Sequence, residues 1–145
     1  MQDCKSTDLM RLEEILIRAA ELVGDVTEPT MQRFYDRFPE AHEAFVRLGL
    51  GKREALEAQM VETALYSVME WIERPIEVSI MLDSSIPHHR STLQVRSEWY
   101  RGLLDTLLDV LAETIPQTQL EKTAVLDRIR AGLGAVIDGA MPSGG

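Results

Sequence analysis

Apolar residues recur at every third or fourth position along most of this chain, and no window alternates with period two. From Asp8 to Val23, the set Leu9, Leu12, Ile15, Leu16, Ala19 and Val23 predicts an amphipathic helix with Ser6 or Thr7 as N-cap. Gly24 and Asp25 stop it. Thr27 is then placed to cap a second helix, with Pro29 in the first turn, where its missing N–H is no loss. That helix carries Met31, Phe34, Tyr35 and Phe38 before Pro39 punctuates it, and a short helical piece from Glu40 to Val46 presents Phe45. Gly49 and Gly51 break the chain again.

From about Lys52 to Ile72, Leu56, Met60, Ala64, Val68 and Ile72 stand at strict i+4 spacing, with Thr63, Leu65 and Met69 widening the apolar face. Pro75 restarts the chain in a helix through Ile76, Ile80 and Leu82, expected to run out near Ser84 and Ser85, with Pro87 as a second break. After His88, His89 and a polar bridge, Ser97 caps a helix carrying Trp99, Leu103, Leu104, Leu107, Leu108, Val110 and Leu111. Pro116 ends it. Thr118 and Glu121 have the spacing of a capping box for a last helix with apolar face Leu126, Ile129, Leu133, Val136 and Ile137. The expected class is all-α, with seven or eight helices in one domain over residues 1–145 and a loose tail over about 140–145.

Composition narrows the chemistry. A chain of 145 residues is long enough to bury roughly 68–70% of its unfolded surface. The single cysteine, Cys4, rules out an intrachain disulfide and a cysteine-built metal centre, and fits a reducing compartment. The start shows no basic segment leading into an apolar run, and no apolar run is long enough to span a bilayer, so a cytoplasmic location is expected. The formal charge of −9, from 24 acids against 15 Lys and Arg, repels phosphate backbones and anionic bilayers. Neither nucleic acid nor membrane is an expected partner.

Histidine chemistry must use His42, His88 or His89. The adjacent pair projects about 100° apart on a helix, so the two cannot chelate one metal together. If the helix persists through Pro87, His89 shares a face with Leu82, Ile86 and Leu93 while His88 looks outward; if Pro87 breaks it, the phase is lost. A buried His89 is then either a metal ligand or a core histidine bonded to a carbonyl. His42 lies between charged residues and reads as a surface side chain. The many glutamates fall on polar helix faces, no Ser or Cys stands beside a histidine, and Gly49-Leu50-Gly51-Lys52 lacks phosphate-loop spacing. No Glu-x-x-His pair supports a di-iron bundle.

Two stretches together resemble the globin family. In Arg33 to Phe45, the pair Phe38-Pro39 is followed by Phe45 seven residues after Phe38, similar to the globin passage from second to third helix and the phenylalanine that packs on the haem. In His89 to Ile115, a leucine (Leu93) follows the histidine by four, a valine (Val95) by six, and Tyr100 opens the next helix. The proximal histidine of globins is followed in the same way. Leucines expected one and four residues before that histidine are replaced here by His88 and Ser85, and no histidine lies between Phe45 and Pro75 to serve on the distal side.

The resemblance implies a globin-like fold binding haem b, with His89 as iron ligand and Phe45, Leu93, Val95, Tyr100 and Leu103 against the cofactor. The distal wall would draw on Met31, Thr63 and either Gln59 or Met60, a register the sequence leaves open. Arg90 and Arg96 flank the implied ligand, where they would either pair with haem propionates or stay on the surface. The implied role is binding a diatomic gas (oxygen, nitric oxide or carbon monoxide) rather than enzymatic turnover; nitric oxide dioxygenation would need a separate reductase, and sensing a signalling partner. The alternative is a haem-free globin-like sensor or interaction module. Under either reading the last two amphipathic helices offer a homodimer interface.

Overall fold

The computed structural model describes the backbone of residues 2–93 and 97–140 and the side chains of residues 6–84 and 98–139. Among these residues every regular element is an α-helix: α1 (Gln2–Leu22), α2 (Thr27–Arg37), α3 (Pro39–Gly49), α4 (Arg53–Trp71), α5 (Pro75–Leu93), α6 (Ser97–Ala112) and α7 (Leu120–Ala140). The predicted all-α class holds.

One cluster of buried apolar side chains draws on all seven helices. Its centre is α6, where Trp99, Leu103, Leu104, Leu107, Leu108, Val110 and Leu111 are all buried. Those are the positions expected from the periodicity. A helix apolar over so wide an arc must be covered on several sides, and α6 packs against α2, α4 and α7, with α1 and α5 at its margins. The predicted face of α7 is likewise buried at Leu126, Ile129, Leu133 and Ile137.

Glycines set two of the close crossings. At Gly102 the ring of Phe38 occupies the place a Cβ would take, so α2 rests directly on α6. At Gly132 the indole of Trp71 does the same, bringing the end of α4 onto α7. A ladder of ion pairs braces the outside of the first contact. Asp109 accepts from Arg37 of α2 at 2.8 Å and from Arg130 of α7 at 2.7 Å, and Arg130 also reaches Asp105 at 2.9 Å.

Several boundaries differ from expectation, each for a local reason. Ser6 and Thr7 do not cap α1, which begins at Gln2. Thr27 does not cap α2 either: it is the first residue of the helix, and its N–H donates to Asp25 Oδ1 at 2.9 Å. Thr118 is not the cap of α7, because a turn with Gln119 N–H donating to the Pro116 carbonyl at 2.9 Å precedes Leu120. Pro39 starts α3 rather than merely ending α2, as suits a residue that needs no N–H partner in a first turn. The α3–α4 turn is made by Leu50 (φ 48°) and Gly51 (φ 86°), both left-handed.

The largest difference lies in α5, which continues through Pro87 to Leu93 instead of stopping near Ser84. A proline inside a helix removes one backbone bond at about 3 kcal/mol, and packing can outweigh that. Here α5 lies against α4, α6 and α7. Its inward residues are Val78 and Leu82, while Ile76 and Ile80, expected on the apolar face, are 74% and 61% exposed.

Candidate functional site

The side chains of His88, His89, Arg90, Leu93, Val95 and Arg96 lie outside the described residues, so the implied ligand and half of its proximal contacts are known only by their place in the chain. Position 89 belongs to α5, seven residues beyond buried Leu82. Seven residues are close to two helical turns.

The remaining implied residues are described. Met31 of α2, Phe45 of α3 and Leu103 of α6 are nearly inaccessible, at 3%, 2% and 3% exposure. All three belong to the one core cluster that draws on every helix. Phe45 sits among aromatic rings: its centroid is 5.9 Å from Phe34, 5.9 Å from Tyr35 in a T-shaped contact, and 6.5 Å from Trp99. Trp99 was legible as an apolar helix position but not as the neighbour of Phe45, since nothing in the sequence links residues so far apart.

Tyr100, next to Trp99, is half-buried, and burial pushes its phenol up to about 12.

On α4 the neighbours Gln59 and Met60 differ in burial. Met60 is half-buried and packs against the core, in line with Leu56 and Ala64. Gln59 and Thr63 are exposed, and the Thr63 hydroxyl donates to the Gln59 carbonyl at 2.9 Å. The buried ridge of α4 is Val61, Ser67 and Val68. Of the strict i+4 row only Val68 lies in that ridge, the others being partly buried beside it, and Met69, expected to widen the face, is 45% exposed. Four-residue steps drift around a 3.6-residue helix, which is why a strict i+4 row cannot stay central.

A second cluster joins α2, α3 and α4. The Tyr35 hydroxyl donates to Glu57 Oε2 at 2.6 Å, Arg53 pairs with the same carboxylate at 3.4 Å, and an Arg53 Nη lies 3.0 Å from His42 Nε2. Burial first, and then the Glu57 hydrogen bond, raises the Tyr35 phenol far above its ordinary range. Tyr35 also meets the His42 ring edge-on at 4.9 Å. The i,i+4 spacing of Arg53 and Glu57 was visible in the sequence; their meeting with Tyr35 and His42 was not.

Among the described residues, no group of three or more His, Cys, Asp or Glu side chains is placed to hold a metal ion. No described helix is long and apolar enough to cross a membrane. No family model, no curated protein and no solved structure matches this chain.

Proposed function

We propose that this chain is a globin-like haem protein that binds a diatomic gas, with His89 as the iron ligand. The observation that carries the reading is the continuity of α5 through Pro87, which keeps position 89 two turns from buried Leu82. Its support includes the burial of Met31, Phe45 and Leu103, from three helices, in one apolar core. The residue chemistry fits haem: an imidazole donor on α5, thioether, aliphatic and aromatic groups on α2, α3, α4 and α6, and no acidic side chain among them.

In this reading neutral His89 binds through one ring nitrogen, and its other N–H needs a carbonyl or carboxylate acceptor to fix the ring. A bound haem iron supplies reversible coordination of a small diatomic molecule. Met31 and Met60 exclude water from the opposite side and offer no N–H or O–H. Gln59 and Thr63, being exposed, withhold theirs. Such a pocket favours gases that develop little charge, carbon monoxide and nitric oxide, over dioxygen, and suits sensing better than oxygen storage.

One observation favours the haem-free module instead. The Phe45 ring is enclosed by Phe34, Tyr35 and Trp99, so it has a protein environment of its own. The absorption spectrum of the purified protein, before and after adding hemin and then reduced with and without carbon monoxide, separates the two. A Soret band that shifts at each step and is lost in a folded His89→Ala variant supports the haem reading. A spectrum of free hemin, or one untouched by His89→Ala, overturns it.

A further inference from the structure

The corner between α4 and α5 combines exposed apolar side chains with one-sided charge. Tyr66 and Met69, one turn apart near the end of α4, are 49% and 45% exposed, and Ile76 and Ile80, one turn apart at the start of α5, are 74% and 61% exposed. Between Glu62 and Ser84 the chain holds five acidic residues and a single base, Arg74. That arginine is already engaged, 3.7 Å from Glu70 on one side and 3.7 Å from Glu77 on the other. Glu62 and Asp83 are exposed on the same two helices.

We propose that this corner docks a cationic amphipathic helix of a partner protein, its apolar side chains seated on Ile76, Ile80, Tyr66 and Met69 and its Lys or Arg residues facing the acids. The charge selects the occupant. A second copy on a two-fold axis would set this acidic surface against itself, and like charges across an interface cost affinity. Anionic bilayers and nucleic acids are repelled for the same reason. A helix with an apolar stripe and a basic face satisfies both features, its apolar anchors one turn apart matching the exposed pairs on α4 and α5. The inference does not depend on haem being bound.

The test uses the full chain and a synthetic Leu/Lys peptide of about 18 residues, patterned at helical spacing, with a scrambled peptide of identical composition beside it. Binding is followed by fluorescence anisotropy at low and high salt. The expected result is binding of the patterned peptide, weakened about tenfold or more by the double substitution Ile76→Ser and Ile80→Ser. Glu77→Lys and added salt should weaken it as well. The control double substitution Ile17→Ser and Leu22→Ser removes equally exposed apolar groups from α1 and should leave binding unchanged. All these positions are exposed, so the variants should fold, and circular dichroism checks that they do. Equal binding of the scrambled peptide, or equal weakening by the α1 control, overturns the proposal in favour of nonspecific attraction. A dimer in sedimentation that Ile76→Ser abolishes overturns it in favour of a second copy, and binding of anionic vesicles through the same residues overturns it in favour of a membrane.

Discussion

The hydroxyl of Tyr35 donates a 2.6 Å hydrogen bond to the carboxylate of Glu57, tying α2 to α4 across a half-buried seam. A charge-assisted bond in that setting contributes about 1.5–3 kcal/mol. Tyr35→Phe, which keeps the ring and its packing, should therefore lower unfolding free energy in urea by about that amount. The alkaline limb follows from the same contact. A phenol whose folded pKa lies above its unfolded value stabilises the fold fully below about pH 10, and that contribution is lost as pH rises further. Stability should fall above about pH 10, and the fall should be shallower in Tyr35→Phe. An unchanged alkaline limb would count against the bond.

Asp109 contributes to the acid limb. Burial pushes its carboxyl up, but hydrogen bonds from Arg130 and Arg37 outweigh that and hold it below the ordinary carboxylate range. A carboxyl depressed in the folded state stabilises above about pH 4, and its contribution disappears as pH drops through the folded value. Asp109→Asn should be less stable at neutral pH and should lose less on acidification than the unaltered protein. Denaturant titrations at several pH values decide this.

Two glycines on α7 should respond oppositely to alanine. At Gly132 a Cβ would lie 2.5 Å from the rigid, partly buried ring of Trp71, whereas at Gly134 its nearest neighbour would be the flexible Arg101 guanidinium at 2.5 Å. Overpacking against the indole should cost about 1–3 kcal/mol, more than the helix-propensity gain of up to about 1 kcal/mol. At Gly134 the arginine can swing away, and its pairs with Asp105 and Asp138 lie near the surface, where such pairs contribute little. Thermal melts should show Gly132→Ala below, and Gly134→Ala at or above, the unaltered protein.

Burial on α4 separates two neighbours under the haem proposal. Met60→Ala should alter the visible spectrum and carbon monoxide binding of the hemin-loaded protein, whereas Gln59→Ala should change neither. The opposite result would put Gln59 on the inner side and overturn the assignment of Met60.

Phe45 is both a core residue and an implied haem contact, so its substitution needs two readouts. Phe45→Ala should destabilise the protein by about 3–5 kcal/mol, since the ring is almost fully buried among three others. Phe45→Leu should retain most of the stability and, under the haem proposal, weaken hemin retention, measured by transfer to a haem acceptor.

Much of this protein is legible in its periodicity. Most buried apolar residues of α6 and α7 are those the three-to-four spacing marks, because a wide apolar arc must be hidden, although Val125 is buried without being marked and Val136 is only partly covered. Pro39, the Gly49–Gly51 break and Pro75 divide the chain where the helices divide. On α4 and α5 the pattern misled, at Met69, Ile76 and Ile80, because apolar residues on these helices are spread over more than one side and only their neighbours decide which side is covered.

What the sequence determined by itself was the class, the order of the helices and the residue types available for chemistry, since these depend on local propensity and on a count of histidines, cysteines and charges. The tertiary structure decided the rest. It carried α5 through Pro87, because packing against three helices exceeds the loss of one backbone bond. It turned Met60 inward and left Gln59 outside, brought Trp99 to Phe45, and joined Tyr35 to Glu57. Each of these joins residues distant along the chain or selects one side of a helix, and a periodic pattern carries neither the distance nor the neighbour.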